Sequence, residues 1–340
     1  MNGMRRGGRG MPPAKGRARH VGGPSLAERT RQQRNVDGEL HQAVAIQNFN
    51  GVREAVNAGA NPNALVDRDR GLNLLSWLIY WDAPQDLIQL VARHPQTNIT
   101  AATGPDGATA LHIAAAEGKA DALRILLTVA PQFRNVRDHL GRTPLYVAIA
   151  NEKRDTEMIL VDEYGADVNI PDVDEVTPFA VALLGTNSTE PGAVPPADLA
   201  LPLYFWDLVD LSRPSALPGD RQQRLSPVAL ASLARRGDIM NFLVSERRAR
   251  VDLPDRLEGN TSLHWYFLSP FSEGYSPVVR ADIELLLNNG ADYRARNKSG
   301  QTPVALAHAQ GAGAFLDLVE AIATVRGATE ADRIWRIYNP

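Results

Sequence analysis

The segment Asp106-Gly-Ala-Thr-Ala-Leu-His-Ile-Ala-Ala-Ala-Glu-Gly118 decides the fold, because it recurs along the chain. Gly141-Arg-Thr-Pro-Leu-Tyr-Val-Ala-Ile-Ala150 repeats it from Gly107 onward, 34 residues later, and Glu175-Val-Thr-Pro-Phe-Ala-Val-Ala-Leu183 follows after another 34. Self-similarity at a period of about 33–34 residues is typical of helical repeats that stack on one another. We therefore predict an all-α helical-repeat solenoid.

Aligning the chain on the position of Thr109 extends the pattern to about eight units, separated by 35, 36, 34, 34, 49, 35 and 41 residues. The aligned positions, called anchors below, are Gly38, Asn73, Thr109, Thr143, Thr177, Ser226, Thr261 and Thr302. The two long spacings indicate insertions near 185–200 and 269–277, each between the two helices of its unit. Such insertions are either tolerated surface loops or an accessory binding edge, with Phe271 and Tyr275 as its exposed aromatic residues.

These segments, together with Gly165-Ala-Asp-Val-Asn169 and Gly290-Ala-Asp-Tyr-Arg294, resemble an ankyrin-repeat protein over roughly residues 36–326. The resemblance implies paired helices joined by short hairpin loops. We expect a disordered basic tail over 1–25, an ankyrin-type solenoid over 26–326, and a C-terminal capping helix within 327–340. The excess of arginine over lysine favours a GC-rich, bacterial genome.

The anchors explain how each unit starts. A threonine there caps the first helix, and a proline after it loses no hydrogen bond within the helix. His41, His112 and His264 occupy equivalent positions three residues beyond their anchors. By resemblance these histidines tie the anchor turn to neighbouring backbone. Because they lie in different units, we do not expect them to bind a metal ion.

The N-terminus carries most of the basic charge. Residues 1–36 contain nine Arg or Lys and one Glu, hence +8, which leaves about −11 for the remainder of a chain of net charge −3. The tail is inert, or an export signal of a bacterial effector translocated into a eukaryotic host cell, or a nucleic-acid contact. Nucleic acid is the less favoured partner, because the tail has no aromatic residue for base stacking.

No catalytic constellation appears in the sequence. Cysteine is absent, and no phosphate-binding loop, nucleophile elbow or His-Glu-x-x-His motif is present. No apolar run of 18 residues predicts a membrane span. We therefore expect a protein that is not an enzyme, that has no catalytic residue, metal site or cofactor, and that is cytoplasmic.

The expected function is binding of a partner protein by a monomeric scaffold, through the hairpin tips and the concave helix face. The contact positions implied by the resemblance are Asp106, Ala108, Ala116, Glu117, His139, Arg142, Asn151, Val173, Val176, Leu257, Asn260, Lys298 and Gln301. Aromatic residues where the family prefers small ones add Tyr80, Trp81 and Tyr266 as candidates for the groove.

Overall fold

The computed structural model describes residues 25–184, 205, 207–269 and 277–339. The chain divides between Asn61 and Pro62 into two compact parts. Of the predicted tail only Ser25 is described, the insertion near 185–200 lies outside the described residues, and the insertion at 269–277 is described only at its ends.

The first part contains helices α1 (Leu26–Ala45) and α2 (Phe49–Asn57), which pack on each other. The prediction of a repeat anchored at Gly38 is wrong, because Gly38 lies inside α1. The helix starts instead after Ser25, whose hydroxyl accepts a hydrogen bond from the Glu28 amide while the Glu28 carboxylate accepts one from the Ser25 amide. His41 correspondingly contacts the Asp37 carbonyl of its own helix, at 2.7 Å.

The second part is built from pairs of helices. In chain order its helices are α3 (Leu74–Tyr80), α4 (Gln85–Ala92), α5 (Ala110–Ala116), α6 (Ala120–Val129), α7 (Pro144–Ala150), α8 (Arg154–Met158), α9 (Pro178–Leu184), α10 (Pro227–Leu233), α11 (Gly237–Asn241), α12 (Ser262–Leu268), α13 (Pro277–Asn288), α14 (Pro303–Gln310), α15 (Ala312–Arg326) and α16 (Ala328–Tyr338). A short 3₁₀ turn, Pro131–Phe133, follows α6, and π-helical turns at Ile159–Glu163 and Phe242–Glu246 extend α8 and α11.

These helices form two layers. The inner layer is α3, α5, α7, α9, α10, α12 and α14, and each of these helices packs on the next. In the outer layer α4 packs on α6, α6 on α8, α11 on α13, and α13 on α15. Leu111, Leu123 and Leu126 have no exposed surface, so the core lies between the layers. This is the ankyrin-type helical-repeat solenoid that the sequence predicts.

Hairpin loops project from the start of each inner helix. Among the described residues, β1 (Leu65–Asp67) pairs antiparallel with β2 (Leu72–Asn73), and β3 (Ser215–Leu217) pairs antiparallel with β4 (Asp220–Leu225). Backbone hydrogen bonds of 2.8–3.0 Å join successive loop tips into a row. The donor–acceptor pairs are Gly104 to Gly71, His139 to Asp106, Val173 to Leu140, Ala216 to Glu175, and Lys298 to Glu258.

Side chains at the anchors cap the inner helices, which confirms that part of the prediction. The side-chain oxygens of Asn73, Thr143, Thr177, Ser226 and Thr302 accept a hydrogen bond from the amide three residues later.

His112 and His264 replace this bond by a bridge between repeats. The His112 Nδ1 lies 2.9 Å from the Thr109 hydroxyl, and its Nε2 lies 2.9 Å from the Arg142 carbonyl of the next loop. His264 makes the same contacts to Thr261 and to the Gln301 carbonyl. Burial lowers the pKa of both imidazoles, so they are neutral at physiological pH. The predicted structural role of these two histidines is confirmed.

Helix α16 packs on α15 through aromatic side chains. The Trp335 ring stacks on Phe315 with ring centres 5.7 Å apart, and Tyr338 lies 5.6 Å from the same ring. Ile334 is buried, whereas Ile337 is 63% exposed. The helix therefore covers α15 with one apolar face.

Candidate functional site

An open groove with a volume of about 320 Å³ lies between the hairpin tips and the inner helices α3, α5 and α7. Its walls at the tips are polar, and its floor is apolar. We call this cavity the groove; its lining includes Arg70, Leu72, Tyr80, Pro105, Asp106, Ala108, Ile113, Ala116, Glu117, Asp138, Arg142, Val147 and Asn151.

The floor of the groove follows from helix periodicity. Ile113, Ala116 and Glu117 are three and four residues apart on or at the end of α5, so they share one face. Val147 lies on the neighbouring helix α7, which packs on α5. Because Ala116 has only a methyl side chain, space remains above the floor. A partner side chain can therefore bury apolar surface there.

Arg142 is held rigidly at the tip end of the groove. Its guanidinium Nη2 lies 2.7 Å from the Asp138 carboxylate and 3.0 Å from that of Asp106, so it links two loop tips. The Asp138 side chain is fully buried and also accepts hydrogen bonds from the amides of Leu140 and Arg142. A bidentate arginine between two fixed carboxylates loses little further entropy when a partner binds.

Arg70 closes the groove on the side of α3. Its guanidinium carbon lies 5.7 Å from the Tyr80 ring centre and 5.9 Å from that of Trp81, and the two rings pack edge to face at 5.5 Å. Arg70 also pairs with Asp67, at 3.1 Å. Tyr80 is partly exposed within the groove, and Trp81 beside it is 36% exposed. These rings provide contact area of the kind favoured at protein interfaces.

The groove brings together several of the residues predicted from the sequence. These are Tyr80, Asp106, Ala108, Ala116, Glu117, Arg142 and Asn151. Other predicted contact residues are exposed but lie elsewhere on the hairpin loops, namely His139, Val173, Leu257, Lys298 and Gln301.

The prediction that Tyr266 faces the groove is wrong, because this residue has no exposed surface. Its hydroxyl lies 3.2 Å from the Asp282 carboxylate and 3.3 Å from the Val279 carbonyl of the outer helix α13. The Arg235 guanidinium covers the ring at 3.9 Å. A buried tyrosine needs partners for its hydroxyl, and here they lie in the outer layer rather than in the groove.

Val176 and Asn260 are also wrong as exposed contact residues, since each is 3% exposed. The Val176 amide donates to the Asp172 carboxylate, which fixes the loop and turns the side chain inward. The Asn260 side-chain oxygen accepts a hydrogen bond from the Asn297 amide group, at 2.9 Å. Both residues therefore stabilise hairpin loops.

Sequence reasoning missed Arg70, Ile113, Asp138 and Val147 as lining residues. Asp138 carried a signal, because aspartate recurs three residues before the loop glycine of its unit, as Asp138-His-Leu-Gly141. Arg70 carried none, since its contact with Tyr80 depends on the path of the β1–β2 loop.

Two further observations concern the described part of the chain as a whole. Its His, Asp and Glu side chains form no group of three or more that is arranged to hold a metal ion. None of its helices is both long enough and apolar enough to cross a membrane.

Comparison with known proteins supports the assignment made from the fold. The family model for ankyrin repeats (3 copies) matches residues 80–172, which include α5, α7 and most of the groove. The solved ankyrin-repeat protein EF0377 aligns over 67% of this chain and 98% of its own, with a TM-score of 0.49 and 18% identity. The chain contains ankyrin repeats.

Individual relatives share only part of their length with this chain. Neurogenic locus notch homolog protein 1 of Xenopus laevis is 37% identical over 89 residues, which are 26% of this chain and 3% of that protein. Rabankyrin-5 of Mus musculus is 33% identical over 26% of this chain and 8% of its own length. Protein PhlB of Serratia liquefaciens is 32% identical over 148 residues, 43% of this chain and 63% of its own.

Proposed function

We propose that this chain is a non-enzymatic protein-binding module whose partner polypeptide lies in the groove. The observation that carries the proposal is the groove itself, a preformed cavity with an apolar floor and fixed polar walls. Ankyrin repeats generally mediate interactions between proteins, and the matched repeats contain most of the lining residues. The exposed tips at His139 and Val173 would extend the contact beyond the groove.

The polar groups of the groove support binding rather than catalysis. A general base needs a free nitrogen or carboxylate oxygen within reach of its substrate. Both ring nitrogens of His112 are already hydrogen-bonded to protein atoms. The Asp138 carboxylate is buried and engaged by Arg142 and by backbone amides. These groups fix the shape of the groove.

The basic tail supports a different proposal only weakly. Translocation or nucleic-acid binding would depend on residues 1–36, of which 1–24 lie outside the described residues. No observation on the described chain favours either function, so the groove remains the basis of the proposal.

Site-specific photo-crosslinking in extracts of the source cells tests it. A photoreactive benzoylphenylalanine replaces Asn151 in the groove, and a control carries it at Met158, which is 39% exposed on the outer helix α8. We expect a defined polypeptide adduct from position 151 that position 158 does not give. Identical adducts from both positions, or none from position 151, would refute the proposal.

A further inference from the structure

Pairing of charges distinguishes Glu117 from the other ionised groups that line the groove. Arg70 pairs with Asp67, and Arg142 pairs with Asp106 and Asp138, so the charges at the tip end are balanced. Within the described part of the chain, the Glu117 carboxylate has neither an ion pair nor a hydrogen bond to another group. The groove thus offers one unpaired negative charge.

The neighbouring lysines do not neutralise this charge. Lys119 lies 3.2 Å from the Asp82 carboxylate, with which it forms an ion pair. The Lys153 stem packs against Gly118, so close that a methyl group there would lie 3.2 Å from it. No ammonium group comes within 4.0 Å of Glu117 in the described chain. Both lysines are therefore directed elsewhere.

The surroundings of Glu117 favour a cation from outside. Glu117 caps the C-terminus of α5, where the exposed carbonyl groups carry partial negative charge. Asn151 on the next repeat donates its amide hydrogen to the Val147 carbonyl, which leaves its side-chain oxygen as an acceptor facing the groove. A bound ammonium or guanidinium group would find acceptors on both repeats.

An apolar surface adjoins this electronegative end. Ile113 and Ala116 precede Glu117 on the same helix face, and Val147 lies across from them. A ligand matching both features needs an apolar group next to a cation. Adjacent or alternate side chains of an extended polypeptide supply that combination.

We propose that the groove recognises a basic polypeptide segment, with a Lys or Arg side chain at Glu117 and an apolar side chain on the floor. This inference rests on the proposed function and specifies its partner. An exposed charge pair is weak, so reversing it in Glu117→Lys should weaken binding by roughly 2- to 30-fold.

Selection from a displayed library of random heptapeptides on the full chain tests the inference. The wild type should enrich peptides that carry Lys or Arg beside an apolar residue. Glu117→Lys should enrich Asp or Glu at the same position. Asp332→Lys, which makes the same charge change at an exposed site on α16, should select the wild-type peptides. Circular dichroism verifies that each variant is folded.

A third variant, Ala116→Trp, separates failure of this inference from failure of the proposed function, because it fills the space above the floor. If selected peptides lose binding to Ala116→Trp but show no basic residue, the groove binds polypeptides and the assignment to Glu117 is overturned. If they bind wild type and Ala116→Trp equally, the proposed function itself fails. Unchanged selection by Glu117→Lys would also overturn the inference.

Discussion

Replacing Glu157 by glutamine is expected to stabilise the chain at pH 8 and to leave its stability nearly unchanged at pH 4. Glu157 lies on α8, is 5% exposed, and its Oε1 atom accepts no hydrogen bond among the described residues. Burial raises the pKa of this carboxyl to about 7, and Glu152 adds to the effect while Arg154 opposes it. The ionised form is therefore disfavoured in the folded chain.

The sign and size follow from linkage between protonation and folding. The folded chain holds this proton more tightly than the unfolded chain, whose reference pKa is 4.5. The stabilising contribution is complete below pH 4.5, is lost as the pH rises through 7, and then stays constant. The shift corresponds to about 3 kcal/mol at most. Residual solvation of the carboxylate reduces the expected gain to about 1–3 kcal/mol.

Urea denaturation followed by far-UV circular dichroism at pH 4 and pH 8 measures this difference. Asp155→Asn provides the control, because it removes an exposed carboxylate from the same helix. We expect the stability gap between Glu157→Gln and wild type to widen from pH 4 to pH 8, while that of the control stays constant. A gap that is the same at both pH values would refute the reasoning.

Three further predictions concern stability and use the same assay. Asp282→Asn should stabilise the chain by about 1–3 kcal/mol above pH 6 and not below pH 4, since burial raises the pKa of this carboxyl to about 6; a pH-independent effect would contradict this. His112→Ala should cost about 1–3 kcal/mol at pH 8, because it removes the bonds between two repeats. The cost should shrink below pH 6.5, where the lowered pKa makes burial of the neutral ring unfavourable. Gly141→Ala should cost more than about 2 kcal/mol, since its φ is +74° and the new methyl group would lie 2.9 Å from the Val173 amide nitrogen. Gly165→Ala, with a φ of +61° and open space, should cost less.

The repeat fold was predictable because its signals are local. A capping side chain, a helix with a small-residue face and a glycine terminator recur within each unit, and each acts through neighbouring atoms. Thr109 and Thr143 show this directly, since both cap the helices that follow them. The prediction failed at Gly38, where a capping box at Ser25 starts a longer helix that overrides the repeat pattern.

The groove was predictable only in part. Positions such as Glu117 and Arg142 follow from their place in the repeat. The direction of Tyr266 does not, because it depends on a hydrogen bond to Asp282 of the outer layer. The role of Arg70 likewise requires the positions of Tyr80 and Trp81 in three dimensions.

The most direct test of the account is the affinity of the partner polypeptide captured at position 151 for a chain whose groove is filled. Isothermal titration calorimetry would compare wild type, Ala116→Trp in the groove and Met158→Trp on the outer layer. The account predicts at least roughly tenfold weaker binding by Ala116→Trp, or about 1.4 kcal/mol, and unchanged binding by Met158→Trp. Equal affinity of all three proteins would contradict it.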